Sequence, residues 1–176
     1  MRRNGPFQNA KINGASKRTT LHCKSGMIDT ARAPVDDWSL APVNNQLGEG
    51  DVHVWRASLD QPADMIAKLA PLLSRCECQR AERFHHLRDR QRFIAGRGIL
   101  RKIISTYLAL APDEVRFVYN NYGKPLISDD QNRGSLSFNL SHSKGMALYA
   151  IARGRRVGVD IEYMREDFAK IGRAHV

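Results

Sequence analysis

Two carboxylates, Asp160 and Glu162, stand two residues apart in the run Val157-Gly158-Val159-Asp160-Ile161-Glu162. Side chains at i and i+2 of an extended strand point to the same face. Val157, Val159 and Ile161 are therefore expected to face a core, and Gly158, Asp160 and Glu162 to face away from it. Two acids side by side on a rigid strand suit a hard cation such as magnesium, which takes one or two carboxylates and completes its octahedron with water and phosphate oxygen. The same spacing also describes an ordinary solvated strand face. Two neighbours in the sequence bear on the choice. The basic turn Arg153-Gly154-Arg155-Arg156 precedes the pair, and Ser141-His142-Ser143 lies one strand earlier. Acids beside cations and hydroxyl donors make a site suited to a metal-bound phosphate ester.

The elements that must position these groups can be read from periodicity. Val52 to Ala57 alternates as a first strand. Asp60 ahead of Pro62 reads as an N-cap followed by an early helical proline, with Met65, Leu69, Leu72 and Leu73 as an apolar stripe interrupted at Pro71. Ser74 to Phe84 predicts a short second helix. Asp89 to Leu108 predicts a long one, with Phe93, Gly96, Leu100, Ile103, Ile104 and Tyr107 at helical spacing, ended before Pro112. Arg97 and Arg101 on that helix are expected to make surface ion pairs. Val115 to Tyr119 predicts a strand and Asn120 to Gly123 a turn. Leu136, Phe138 and Leu140 alternate into another strand. Met146 to Ala152 is nearly all apolar, as in a buried central strand, and Val157 to Glu162 is expected to pair beside it. The sum is an α+β arrangement, helices packed on a small, mostly antiparallel sheet.

Composition narrows the classes. The chain has 176 residues, enough for one ordinary domain, and no run of 18 apolar residues, so no membrane partner is expected. Polar residues follow Arg2 and Arg3 where an apolar export signal would sit, and Cys23, Cys76 and Cys78 make no disulfide framework. A cytoplasmic location follows as the expectation. The net charge is +10, but residues 1–26 hold six Lys or Arg and no acid, which leaves +4 over residues 27–176. Specific nucleic-acid binding is not expected from so uneven a distribution. Residues 1–50 read as a disordered or poorly ordered basic leader, with little apolar periodicity before Met27 and with Pro34, Pro42, Gly48 and Gly50 breaking the stretch after it.

Phe138-Asn139-Leu140-Ser141-His142-Ser143 followed by Gly158-Val159-Asp160-Ile161-Glu162 resembles the signature of the 4'-phosphopantetheinyl transferases. The surfactin-synthetase-activating, pseudo-dimeric branch is the more similar one. Asn121-Tyr122-Gly123-Lys124-Pro125 and the segment from Arg90 to Arg101 agree with that resemblance, which runs from about Val52 to Glu162. The implied fold is the N-terminal lobe of that family, over residues 51–162. The implied activity is transfer of the phosphopantetheine arm of coenzyme A to a serine of an apo acyl or peptidyl carrier protein. By resemblance, Asp160 and Glu162 are catalytic and hold Mg2+ against the pyrophosphate of coenzyme A. Ser141 and His142 match the pair at its 3'-phosphate, Lys124 a phosphate-side lysine, and Pro125 the backbone beside the adenine. Arg92 matches an arginine that reaches the nucleotide, and Arg80 stands where the family often has a basic residue for the same phosphate. Glu77 stands where relatives can carry a further lysine. A non-catalytic module that binds coenzyme A or a nucleotide is the alternative.

The resemblance also implies a third acid and an assisting lysine in a Trp-x-x-Lys-Glu segment of a second lobe, and no such segment occurs in these 176 residues. The chain by itself is therefore expected to be an inactive fragment, with residues 163–176 a truncated tail. Residues 171–176, Ile-Gly-Arg-Ala-His-Val, can be encoded by ATC GGA AGA GCA CAC GTC, which resembles a common sequencing adapter. An adapter-derived origin of those six residues is the expectation.

Overall fold

The computed structural model describes residues 7–12, 39–40, 47–48 and 50–163, the first two segments as backbone alone. Seven strands and three α-helices follow one another along the described chain. Strands β1 (Phe7–Ile12), β2 (Ser39–Leu40), β3 (Val52–Ser58), β6 (Leu136–Ser143) and β7 (Met146–Arg153) form one sheet in the order β2-β1-β3-β7-β6. Every pairing in it is antiparallel, with β3 and β6 flanking the apolar β7. Strands β4 (Phe117–Tyr119) and β5 (Pro125–Ile127) form a separate hairpin. The fold is α+β, as the periodicity predicts.

Helices α1 (Ala63–Leu69), α2 (Arg75–Glu82) and α3 (Leu87–Leu108) lie on one face of the large sheet. Ile99, Leu100, Ile103 and Ile104 of α3 have no exposed surface, and they share one core with Trp55, Ala57, Phe138, Tyr149 and Ile151. Gly98 is required where α1 crosses α3. A Cβ there would stand 2.8 Å from the Leu69 Cβ and 3.2 Å from its carbonyl oxygen, with no flexible tip to yield. Helix α3 ends on Ala109 in the left-handed region at φ 54°. No helix among the described residues is long and apolar enough to cross a membrane.

Several expectations change at this level. Phe7–Ile12, inside the stretch read as a disordered or poorly ordered leader, pairs with β3 from Phe7 opposite Ala57 to Ile12 opposite Val52. A ladder uses backbone groups, so it needs no side-chain alternation to form. Asp60 does not cap α1. Pro62 occupies the cap position without a side-chain bond, and the Asp60 carboxylate is engaged elsewhere. The expected strand at Val115 begins only at Phe117, because the Val115 carbonyl accepts from Arg101 Nη1 at 2.6 Å. Val157 to Glu162 is extended but joins no ladder. The tail from residue 164 onward lies outside the described residues.

Candidate functional site

The segment from Val157 to Tyr163 lies along β6 on the sheet face opposite the helices. Its apolar residues Val157, Val159 and Ile161 pack on Val54, Leu148 and Ala150 of that face. Its alternate amides reach side chains instead of backbone. Val159 N–H donates to Asn139 Oδ1 at 3.3 Å, Ile161 N–H to Ser141 Oγ at 3.2 Å and Tyr163 N–H to Ser143 Oγ at 3.2 Å. The period-two alternation of β6 sets Asn139, Ser141 and Ser143 on one face, so the two segments fasten every second residue. Asp160 and Glu162 are thereby turned outward and exposed, as the spacing predicts. The Ser141 hydroxyl also donates to Asp160 Oδ1 at 2.6 Å. One hydroxyl thus holds the acid and the backbone beside it.

Ser141 and His142, consecutive on a strand, point to opposite faces. His142 is exposed on the helix side, where its register partner is Ala147. The β6–β7 turn is a two-residue type with Lys144 at φ 42° and Gly145 at φ 83°. The Gly145 carbonyl accepts from Leu59 N–H at 2.6 Å, which ties this turn to the end of β3.

Arg92 of α3 meets the same corner. Its Nε donates to Asp60 Oδ1 at 2.7 Å and its Nη2 to Asp60 Oδ2 at 2.8 Å. Arg88, one turn earlier, brings Nη2 to 3.5 Å from the same carboxylate. The Arg92 hydrogen bonds, with the Arg88 charge added, hold the Asp60 carboxyl at about 2, below the usual carboxylate range. Arg92, expected at the nucleotide, is thus already oriented by an acid to which the sequence reading gave a capping role.

Arg80, Lys124 and Pro125 belong to a different neighbourhood. The end of α2 and the β4–β5 turn enclose a cleft of about 680 Å³ lined by Arg80, Arg83, Phe84, Tyr119 and Gly123 among others. The Arg80 guanidinium lies 5.6 Å from the centre of the Phe93 ring. Lys124 is exposed, and its amide and that of Tyr122 donate to Asn120 Oδ1, which shapes the turn around Gly123. Pro125 is buried opposite Tyr119. Of the expected nucleotide residues, Arg80 alone lines this cleft, while Arg92 stays with Asp60 at the β6–β7 corner.

Arg97 and Arg101 are not surface residues. Arg97 is 8% exposed and lies between the Phe93 and Tyr119 rings, 5.6 and 5.7 Å from their centres. Arg101 is 2% exposed and pairs with Glu77, also 2% exposed, at 2.7 Å. Glu77 further accepts from Tyr119 Oη at 3.1 Å and from Ser74 N–H at 2.9 Å. Burial pushes the Glu77 carboxyl upward, but Ser74 and Arg101 outweigh it and leave it below the ordinary range. Glu77 therefore links α2, α3 and β4 and offers no anion anchor. Two signals for this stood in the sequence. Ser74-x-x-Glu77 is a capping-box pattern, and Ile94, Arg97, Arg101 and Ser105 recur at helical spacing along the buried stripe of α3.

Residues 54–153 match the family described as 4'-phosphopantetheinyl transferase, N-terminal. The 4'-phosphopantetheinyl transferase HetI of Nostoc is 45% identical over 128 residues, which cover 73% of this chain and 54% of HetI. The 4'-phosphopantetheinyl transferase Sfp of Bacillus subtilis is 33% identical over 84 residues, 48% of this chain and 36% of Sfp. The chain spans about half the length of HetI and less than half that of Sfp. Among solved structures, the Helicobacter pylori holo-(acyl-carrier-protein) synthase in complex with coenzyme A aligns at a TM-score of 0.44 and 22% identity, over 56% of this chain and 96% of that one. With more than half of its length matched, the chain belongs to the 4'-phosphopantetheinyl transferase family, to whose N-terminal part it corresponds.

Proposed function

We propose that the full gene product transfers the 4'-phosphopantetheine arm of coenzyme A to a serine hydroxyl of an apo carrier protein, in the cytoplasm and with magnesium. The observation that carries this reading is the docked acid segment. Its apolar residues pack on the sheet, its amides are fastened to β6, and Asp160 and Glu162 are left exposed on one side. Those two carboxylates suit a divalent ion that takes its remaining ligands from water and phosphate, and no third acid, histidine or cysteine joins them among the described residues. Asp160 and Glu162 would hold the ion, which when bound supplies charge neutralisation at the pyrophosphate.

The other residues act on the nucleotide end. Ser141 keeps Asp160 in place through its 2.6 Å hydrogen bond, so its first role is to orient the acid. His142, exposed at the corner that Gly145 shares with Arg92, offers ring nitrogens to the 3'-phosphate. Arg92 presents its remaining N–H groups there. Lys124 and Arg80 add cationic donors around the cleft between α2 and the β4–β5 turn. Phosphoryl transfer of this kind depends mainly on positioning and charge stabilisation. The 176 residues span about half the length of HetI and are proposed to be inactive by themselves.

Alanine at both Asp160 and Glu162 in the full gene product tests the reading. The mass increase of an apo carrier protein in the presence of coenzyme A and magnesium should fall at least about a hundredfold, the scale of one lost charge-stabilising group. Undiminished arm attachment by the double variant would sink the assignment.

A further inference from the structure

Three chain segments converge on one guanidinium. Asp60 follows β3, Arg92 sits in the second turn of α3, and Gly145 is at the tip of the β6–β7 hairpin. Asp60 uses both carboxylate oxygens on Arg92, at 2.7 and 2.8 Å. The Gly145 Cα leaves no room between itself and the pair. A Cβ built there would lie 2.8 Å from Arg92 Nη2 and closer still to Asp60 Oδ2, and the backbone is at φ 83°, where a side chain is strained. We propose that Asp60 and Gly145 are positioning residues for Arg92: the carboxylate fixes the plane of the guanidinium, and the bare Cα lets the hairpin that carries Ser141 and His142 close onto it. This rests on the reading above that Arg92 meets a phosphate of the nucleotide.

The chemistry supports a clamp. A guanidinium has five N–H donors in a rigid fork. Asp60 takes two and leaves three for an anion. An unclamped arginine would have to lose its rotamer freedom on binding, and a clamped one has already lost it. Arg88 shares the carboxylate and is 70% exposed, so the cluster of two arginines and one acid keeps a positive charge. With its pKa drawn down to about 2, Asp60 is ionised at any working pH.

Positioning and plain electrostatics predict opposite signs. Removing a negative charge beside an anion site should tighten anion binding if charge alone matters. If Asp60 orients Arg92, its loss should loosen binding. In the full gene product, titration with 3',5'-adenosine bisphosphate should show Asp60→Asn weakening the complex roughly tenfold, the scale of one charge-assisted hydrogen bond. Gly145→Ala should do the same, and Asp60→Glu should recover part of the loss. An Asp60→Asn variant that binds as well as the wild type, or better, overturns the proposal. Arg92→Ala separates the two readings. If it weakens the probe while Asp60→Asn does not, only the clamp fails. If it changes nothing, or if the wild type does not bind the probe, the phosphate reading fails and the clamp with it. A measurement on the wild type avoids any folding defect of the variants. The Arg92 Nε–H resonance should stay protected from solvent exchange when the probe is added, and its release would show that the carboxylate lets go.

Discussion

Two arginine–carboxylate pairs hold α3, and they sit in opposite settings. Glu77 and Arg101 are each 2% exposed, and both groups are bonded on several sides by Ser74, Tyr119 and the Val115 and Pro112 carbonyls. Asp60 and Arg92 have side chains 47% and 20% exposed, and they meet where the β6–β7 turn touches the helix. The first pair is buried among helices and a hairpin, where removing one partner strands a charge away from water. The second is open to water and costs little to break. The difference separates what holds the domain together from what aims its surface groups. Glu77, an acid at the start of a helix, serves the interior, whereas Asp60, which reads as a helix cap, meets Arg92 at the candidate site.

Substitutions should sharpen that contrast. Arg101→Ala is expected to destabilise by about 3–5 kcal/mol, because Glu77 is left as an unpaired buried charge. Chemical denaturation would measure it, and a loss below about 1 kcal/mol would place the pair in the same class as Asp60–Arg92. Tyr119→Phe removes one hydrogen bond to Glu77 and should cost about 1 kcal/mol in the same assay. Asp60→Asn should cost less than about 1 kcal/mol, after discounting for solvent, while it changes anion affinity as described above. A large fall in melting temperature for Asp60→Asn with unchanged affinity would invert the assignment of roles.

Acid separates the pairs in the same way. Both carboxyls are lowered in the folded state: Glu77 below its ordinary 4.5, and Asp60 from 3.8 to about 2. A depressed folded pKa gives stability that is complete above the unfolded pKa and disappears as pH falls through the folded one. The Glu77 contribution therefore starts to fade below about pH 4.5. That of Asp60 starts to fade below about pH 3.8 and is lost as pH falls through about 2. Melts of the wild type and of Tyr119→Phe, run downward in pH from above the unfolded Glu77 value, should converge as pH falls through the lowered folded pKa of Glu77, because the bond that distinguishes them is stronger to the carboxylate.

Much of the scaffold was legible because its period matched its burial. The apolar run of β7, the alternation of β3 and β6 and the stripe of α3 each followed a simple repeat. The outward turn of Asp160 and Glu162 was legible for the same reason. What composition concealed were polar residues doing interior work. Arg97 and Arg101 read as surface groups by residue type, although their spacing follows Ile94 along the buried stripe. Pairing of Phe7–Ile12 with β3 left no side-chain pattern to find. Nor did the fastening of the acid segment look different from a strand pairing, since both have a repeat of two. Only the alternating Asn139, Ser141 and Ser143 hinted that side chains would stand in for a ladder.

That substitution of side chains for backbone has a consequence for how the acid segment can vary. A ladder forms from groups every residue carries, so point changes seldom loosen it at a single rung. Here each rung is a separate genetic choice. Asn139→Ala, Ser141→Ala and Ser143→Ala would each unhook one amide and leave β6 bonded to β7, and the middle one would free Asp160 as well. The tightness with which the two carboxylates are held can thus be graded in single steps while the sheet beneath them stays intact.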